Sequence, residues 1–576
     1  MKGIGFFGNR LGGAADTLAL AAISSSVLTT SPFFSGLPTA PSYALAGLGA
    51  AWVAGRCMHG MAGMHLFRSK LNIRSSDLLS SDGMLIGYTT DRGRAVRLPD
   101  EALPYHGMVA GRSGYGKTTF ARLMMLQQII RGGGLLMIDA KLDSDDMSWV
   151  AQVARWAGRY QDMQFINLGD PANSNSYNSV LEGDPDEVAD RILTSLPAPE
   201  VAPAAEHYRQ SAKQALGAIV GGVQALGLAY NCIDLSILLH NERALSELEE
   251  RLRSVLPHHP ATKNLSLWIE QYRGGFGNDT GPASARINMK RLKETLGGIA
   301  GRLHAFGTGT FGEVGSSYSP DVRLFDSMMS NKITYVSLPT MGKDESARNF
   351  AKMLLADLRS AIARIQQLPK SHRSRIPYLA LLDEFGAYAL MAMNRVFEQA
   401  RSAGISVWAM FQSIANLDAV SPDFRDMLEE NTDAKLFFKL ASPKTTEEAA
   451  KMIGKGTFAK TTISATSRAS ESTPKITPAP EGGLSTDAGY AIAESEEEQY
   501  RVTEDDLKKV DRGECIMLYQ GCELFNLRIP NITISKWLSS KAVPIRVNRT
   551  KRKQVKGCDY FKNADRYLTA AKAARA

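Results

Sequence analysis

No stretch of this chain constrains its fold more than Gly111-Arg112-Ser113-Gly114-Tyr115-Gly116-Lys117-Thr118. It matches Gly-x4-Gly-Lys-[Ser/Thr] at every fixed position. A short apolar run, His106 to Ala110, precedes it, and Thr119 to Ile130 follows with the character of a helix. Strand, glycine loop and helix in that order bring backbone N–H groups and a helix N-terminus to bear on phosphate. Residues Gly111, Arg112, Ser113, Gly114, Tyr115, Gly116, Lys117, Thr118 and Thr119 therefore form the expected nucleotide-binding segment. In it Lys117 reaches the β and γ phosphates, and the Thr118 hydroxyl can ligate Mg²⁺.

At 576 residues the chain exceeds one compact core, so two or three domains are expected. Its five cysteines (Cys57, Cys232, Cys515, Cys522, Cys558) form no Cys-x2-Cys pair and have no neighbouring His, which argues against a disulfide framework and a zinc site. Positive charge is concentrated at one end. From Lys536 to Ala576 there are 12 Lys/Arg and 2 Asp/Glu, whereas residues 1–535 carry 55 and 57. Such a tail can engage nucleic-acid phosphate, anionic lipid or an acidic partner, or can simply be solvated.

The first 75 residues contain two uncharged stretches, Leu18 to Phe34 and Pro41 to Gly55. Each is short of the roughly 20 apolar residues that span a bilayer. Lys2 and Arg10 precede the first, Arg56, Arg68, Lys70 and Arg74 follow the second, and the connection has no cation. That pattern predicts a hairpin with both ends cytoplasmic; a buried or peripheral helical pair is the alternative.

The expected organisation is a membrane hairpin over 1–75, a nucleotide-binding domain in two parts (76–183 and 307–460) and an all-helical insertion over 184–306. A flexible linker over 461–498, a terminal sheet segment over 499–535 and the basic tail over 536–576 complete it. Apolar runs ending in polar residues, alternating with helical patterns, predict a parallel sheet covered on both faces. They include Gly133 to Asp139, Gln164 to Leu168, Ile333 to Leu338, Tyr378 to Asp383 and Ile405 to Phe411. Helices are predicted over 203–229, 242–255, 282–306, 345–367 and 387–403.

Binding becomes hydrolysis only if a metal is held and a water is aimed at the γ-phosphate. Asp383 ends a buried strand, where open α/β sheets place ligands, and fits the acid that holds Mg²⁺. Glu384 fits the carboxylate that orients and deprotonates water. Gln412, at the end of the next strand, can sense the γ-phosphate or hold the water, and Asp139 can contact water or Lys141 near the metal. With no guanine-reading Asn-Lys-x-Asp present, ATP is the favoured nucleotide.

Together these motifs resemble the type IV secretion coupling proteins, the TraG/TraD-like branch of the FtsK/HerA ATPases. The likeness rests on Gly111–Thr118, Met137-Ile-Asp-Ala-Lys141, Leu381-Leu-Asp-Glu-Phe-Gly386, Ala400-Arg-Ser-Ala-Gly-Ile405 leading to Phe411-Gln-Ser413, Glu430-Asn-Thr-Asp-Ala-Lys435 and Tyr500 to Tyr519. Ala140 stands where the family often has Pro. The resemblance implies an α/β, RecA-like P-loop NTPase domain with a mostly helical inserted domain and an N-terminal transmembrane helical hairpin. It implies a hexameric ATPase in a bacterial inner membrane, with a cytoplasmic catalytic domain and with ATP and Mg²⁺ as cofactors. Its partners would be the secretion channel and a relaxase bound to single-stranded DNA, or effector proteins. Arg401 matches the position from which relatives project an arginine into a neighbour's site, and the sequence places it at the nucleotide-proximal edge. A pump for protein effectors without DNA and a nucleotide-stabilised scaffold are the competing expectations.

Overall fold

The structure, a computed structural model, describes residues 67–68, 75–78, 83–141, 144–196, 206–274, 286–340, 344–466, 489–534, 545, 547–549 and 555–567. Its strands, in chain order, are β1 (Phe67–Arg68), β2 (Met84–Thr89), β3 (Ala95–Leu98), β4 (Gly107–Ala110), β5 (Leu135–Asp139), β6 (Met163–Asn167), β7 (Ile333–Ser337) and β8 (Tyr378–Leu382). Then come β9 (Ile405–Phe411), β10 (Ala434–Phe437), β11 (Lys455–Thr466), β12 (Gly489–Tyr500), β13 (Glu514–Tyr519), β14 (Glu523–Arg528) and β15 (Thr533–Ile534). Eleven of them form one mixed sheet in the order β3-β2-β14-β13-β10-β4-β9-β8-β5-β7-β6. From β10 to β6 every pairing is parallel; β13, β14, β2 and β3 extend the sheet antiparallel.

Strand alternation sorts the apolar runs onto two faces. Leu136, Ile138, Ala380, Leu382, Val407 and Ala409 join one core, while Leu135, Met137, Leu379, Leu381, Trp408 and Met410 join the other. Burial on both faces is why these strands read as unbroken apolar runs instead of alternating ones. Helices Lys117–Ile130 and Ser144–Trp156 cover the second face. Against the first lie the long helix Asp344–Gln366 and the helices that run between β6 and β7, whose core is continuous with that of the sheet.

Those inserted helices include Pro185–Leu193, Glu206–Ala225, Cys232–His240, Glu242–Val255, Pro260–Glu270 and Met289–Gly307. Asp184 caps the first by accepting from the Glu187 N–H, with Pro185 in the opening turn. Its Arg191 is buried and pairs with Asp357 of the long helix at 3.0 Å, while Tyr177 donates to the same carboxylate at 2.7 Å. Removing one partner of such a buried pair would strand a charge, so the contact fixes how the insert sits on the sheet.

Three expectations change. The helix predicted over 387–403 is replaced by short turns and the single helix Asn394–Gln399. Glu384 adopts a left-handed backbone (φ 50°) and the Tyr388 hydroxyl binds the Asp383 carbonyl at 2.7 Å, which together commit the chain to tight turns. The linker over 461–498 is not flexible throughout: β11 and β12 pair antiparallel from Lys455↔Tyr500 to Thr466↔Gly489, with 467–488 outside the described residues. Thr461, Thr462 and Ile463 are β-branched and favour extended backbone, a signal that polar composition conceals. The hairpin expected over 1–75 lies outside the described residues, Phe67, Arg68 and Ser75 excepted; among those described, no helix is long and apolar enough to cross a membrane.

The third change concerns the tail, where the solvated reading fails for residues 555–567. Ala229 donates to the Lys556 carbonyl at 2.9 Å and Cys558 donates back to Ala229 at 2.8 Å. The Tyr560 N–H reaches Asp234 at 3.2 Å, and Tyr567 donates to Glu247 at 3.0 Å. Both tyrosine rings are buried. Upstream, Asn548 donates to the Tyr160 carbonyl and accepts from Asn175, each at 2.8 Å. The segment thus straps the sheet domain to the insert. Tyr560→Ala should cost the strap about 3 kcal/mol of docking, visible as faster limited proteolysis after residue 549; an unchanged cleavage rate would refute the docking.

Candidate functional site

All parallel strands present their carboxyl ends at one edge, and the registers show which residues meet there. Ala110 lies beside Phe411 and Phe437, and Leu382 lies beside Ile138 and Ala409. The next residues along each strand, Gly111, Gln412, Asp383 and Asp139, are therefore neighbours at one rim.

The glycine loop is tied to this rim at its start. Gly111 donates to the Phe411 carbonyl at 3.2 Å, and Arg112 to the Lys439 carbonyl at 2.9 Å. A Cβ on Gly111 would lie 2.5 Å from Phe438 Cβ, so only glycine permits this approach. Gly116 has φ 131°, and a Cβ there would meet the Phe438 ring at 2.7 Å. Helix Lys117–Ile130 starts immediately afterwards, so Lys117, Thr118 and Thr119 form its first turn.

Lys117 is buried and donates to the Gly111 carbonyl at 2.5 Å. Burial lowers its ammonium pKa, against the opposing pull of Glu384 and Asp383. Across the rim, Lys141 pairs with Asp383 at 3.0 Å and with Glu384 at 2.9 Å. Burial works against its charge, yet the two carboxylates outweigh that and hold Lys141 well above the usual lysine range. Burial pushes Asp383 up, Lys141 pulling the other way. For Glu384 the balance reverses. Burial raises it, but hydrogen bonds from Lys141 and Gln412 and the charges of Lys141 and Lys117 prevail and leave it below the ordinary glutamate value. Gln412 donates to Glu384 at 2.8 Å. Asp139 accepts from the Lys141 N–H and from the Tyr335 hydroxyl, both at 2.9 Å.

The structure thus brings together Lys117, Asp383, Glu384 and Gln412, and centres the last three on Lys141. Lys141 drew notice in the sequence only as a possible contact of Asp139; its position two residues past the acid that ends β5 is the signal that could have ranked it higher.

Arg401 is elsewhere, which corrects its expected position. It occupies the turn Ala400–Ala403 that enters β9, whereas Gln412 leaves β9. A seven-residue strand separates the two, about 20 Å. There Arg401 donates to the Tyr105 hydroxyl and its guanidinium lies 3.6 Å from the centroid of that ring. The pattern Arg-x-x-Gly before a strand marks the amino-terminal edge, opposite the nucleotide loop, so Arg401 does not serve the Lys117 site of its own subunit.

A second set of residues reaches the loop from far along the chain. Phe437 sits beside Ile516, and Glu514 beside Arg528, so the turn before β13 and the exit from β14 reach the same rim. Gly513 donates to the Tyr115 carbonyl at 2.9 Å, and Arg512 lies 5.9 Å from the Tyr115 ring centroid. The sequence marked 499–535 only as terminal sheet, because a turn's role beside another loop depends on pairing that local pattern does not encode.

Comparison with known proteins follows the same geometry. Residues 377–506 match the family model described as the TraM recognition site of TraD and TraG. The type 4 coupling protein DotL of Legionella pneumophila is 22% identical over 394 residues, 62% of this chain and 49% of DotL. This chain is a relative of the type IV coupling proteins. It spans about half the length of that curated relative. Among solved structures, the unbound bacterial conjugative coupling protein TrwBdeltaN70 superposes with a TM-score of 0.54 at 14% identity, covering 84% of this chain and 97% of the other. TrwB in complex with the non-hydrolysable ATP analogue ADPNP gives 0.53 at 14% identity, with 84% and 98% covered. TrwB with ADP and Mg²⁺ gives 0.50 at 13% identity, with 84% and 97% covered. At these identities the shared property is the fold.

Proposed function

We propose that this relative of the coupling proteins is a ring-forming ATPase that drives substrate into a type IV secretion channel. The substrate would be a relaxase bound to single-stranded DNA, or a protein. Residues 1–75 would anchor the ring in a bacterial inner membrane as a multi-pass hairpin, leaving the catalytic domain cytoplasmic. The convergence of Lys117, Asp383, Glu384 and Gln412 on one rim carries this reading, because it supplies both a phosphate cradle and a water-activating carboxylate.

In this reading ATP lies on residues Gly111–Thr119. Thr118 and Asp383 offer the hard oxygen donors that suit Mg²⁺, and Asp383 is a buried carboxylate already balanced by a cation. When bound, the metal neutralises phosphate charge. Glu384 stays ionised at neutral pH, so it can orient a water and accept its proton, and Gln412 fixes the carboxylate that does so. The complexes of TrwB with an ATP analogue and with ADP and Mg²⁺ support the choice of nucleotide and metal. The matching TraM recognition model supports a secretion partner. Arg401 could meet a nucleotide only across a subunit boundary, as a hexameric ring would allow.

ATP turnover by the full chain, measured with and without single-stranded DNA, tests this. Hydrolysis that rises severalfold with DNA is expected. Turnover indifferent to DNA would shift the substrate to protein, and no turnover in either case would leave a scaffold.

A further inference from the structure

Beside the glycine loop lies a cleft of ≈ 540 Å³, bounded on one side by Gly114, Gly116 and Thr119 and on the other by residues around the β13–β14 hairpin. Building on the reading of the loop as a triphosphate cradle, we propose that this cleft is the nucleoside subsite, taking the ribose and base of the bound nucleotide. Four observations carry it.

Position comes first. A ligand with its phosphates on the loop must extend its remaining part past Gly114 and Thr119, and this cleft opens there. Size agrees, since small-molecule sites are commonly about 300–1,000 Å³. The far wall is fixed to the loop: Gly513 donates to the Tyr115 carbonyl at 2.9 Å, and Ile529 donates to the Gly513 carbonyl at 2.8 Å. A wall stapled to the cradle keeps base and phosphates in one frame, which limits the ordering cost of binding.

Chemistry is the fourth. Arg512 brings a planar guanidinium able to stack on a base, and Asn531 brings an exposed amide with both a donor and an acceptor for its edge. Asp511 can accept from ribose hydroxyls. Arg528 is engaged by Glu514 at 2.5 Å and serves as wall instead of contact. The motif thus grips the part common to all nucleoside triphosphates, and the hairpin from the far end of the chain reads the part that differs.

Calorimetric titration of the full chain with ATP and, separately, with inorganic tripolyphosphate, both with Mg²⁺, tests the assignment. The double variant Arg512→Ala/Asn531→Ala should bind ATP roughly tenfold more weakly, while tripolyphosphate affinity changes less than about twofold. Retained tripolyphosphate binding also shows that the variant is folded. Equal losses for both ligands, or undiminished ATP affinity, would overturn the subsite. If the unmodified chain bound neither ligand and Lys117→Ala changed nothing, the cradle itself would fall, a distinct result.

Discussion

Lys117→Ala protein should fold normally and lose ATP turnover by at least ~10²-fold. The lysine is buried at the start of the helix that follows the glycine loop, with its ammonium group on the Gly111 carbonyl and within the field of Asp383 and Glu384. Negative charge that grows on a phosphate during transfer is stabilised there by a cation already in place, which costs no reorganisation. Truncation removes that cation. It leaves Gly111 and Arg112 bonded to the strand ends, so the loop survives. The measurement is phosphate release beside thermal unfolding. A variant with an unchanged melting temperature and turnover within tenfold of the original would mean that the lysine is structural.

Glu384→Gln should separate binding from hydrolysis. The substitution keeps size and shape, and glutamine tolerates the left-handed backbone at this position much as glutamate does. Its amide oxygen can still accept from Gln412. What disappears is a carboxylate that remains ionised at neutral pH, and loss of a general base typically costs about 10²–10⁴-fold in rate. ATP binding should persist, because none of the glycine loop is touched. A single-turnover experiment with labelled ATP should therefore show bound, uncleaved nucleotide; turnover at the original rate would move the base elsewhere, with Asp139 the next acid on the rim.

The parts of this site that the sequence exposes are those set by local rules. An apolar run ending in Asp383-Glu384, and another ending in Gln412, announce buried parallel strands whose carboxyl ends hold ligands. Residues placed by long-range pairing stay hidden. Arg512 and Asn531 reach the loop only because β13 pairs with β10 and β14 with β13. Arg401 shows the converse: its motif is plain, but the strand direction that sends it to Tyr105 emerges only with the sheet. Helix Cys232–His240 was missed because it is apolar nearly all round and largely buried, which erases the periodicity that reveals a helix with one wet face. The turns at 385–403 fail for the opposite reason: their residues suit a helix, but a left-handed Glu384 and a pinned Tyr388 override propensity.

The strap over residues 545–567 gives the molecule a leash. The insert joins the sheet where the chain enters after β6 and where it returns before β7, and two such joints alone would permit a hinge. A third attachment, Asn548 on the sheet side and Tyr560 with Tyr567 on the insert side, restricts it. Between Arg549 and Lys556 the chain can extend to at most about 25 Å, which caps the travel of the insert while both ends hold. Any larger stroke must first pull two aromatic rings out of their seats. Work done at the Lys117 rim therefore reaches the insert either as motion of one rigid piece, or as a step that waits on the strap letting go.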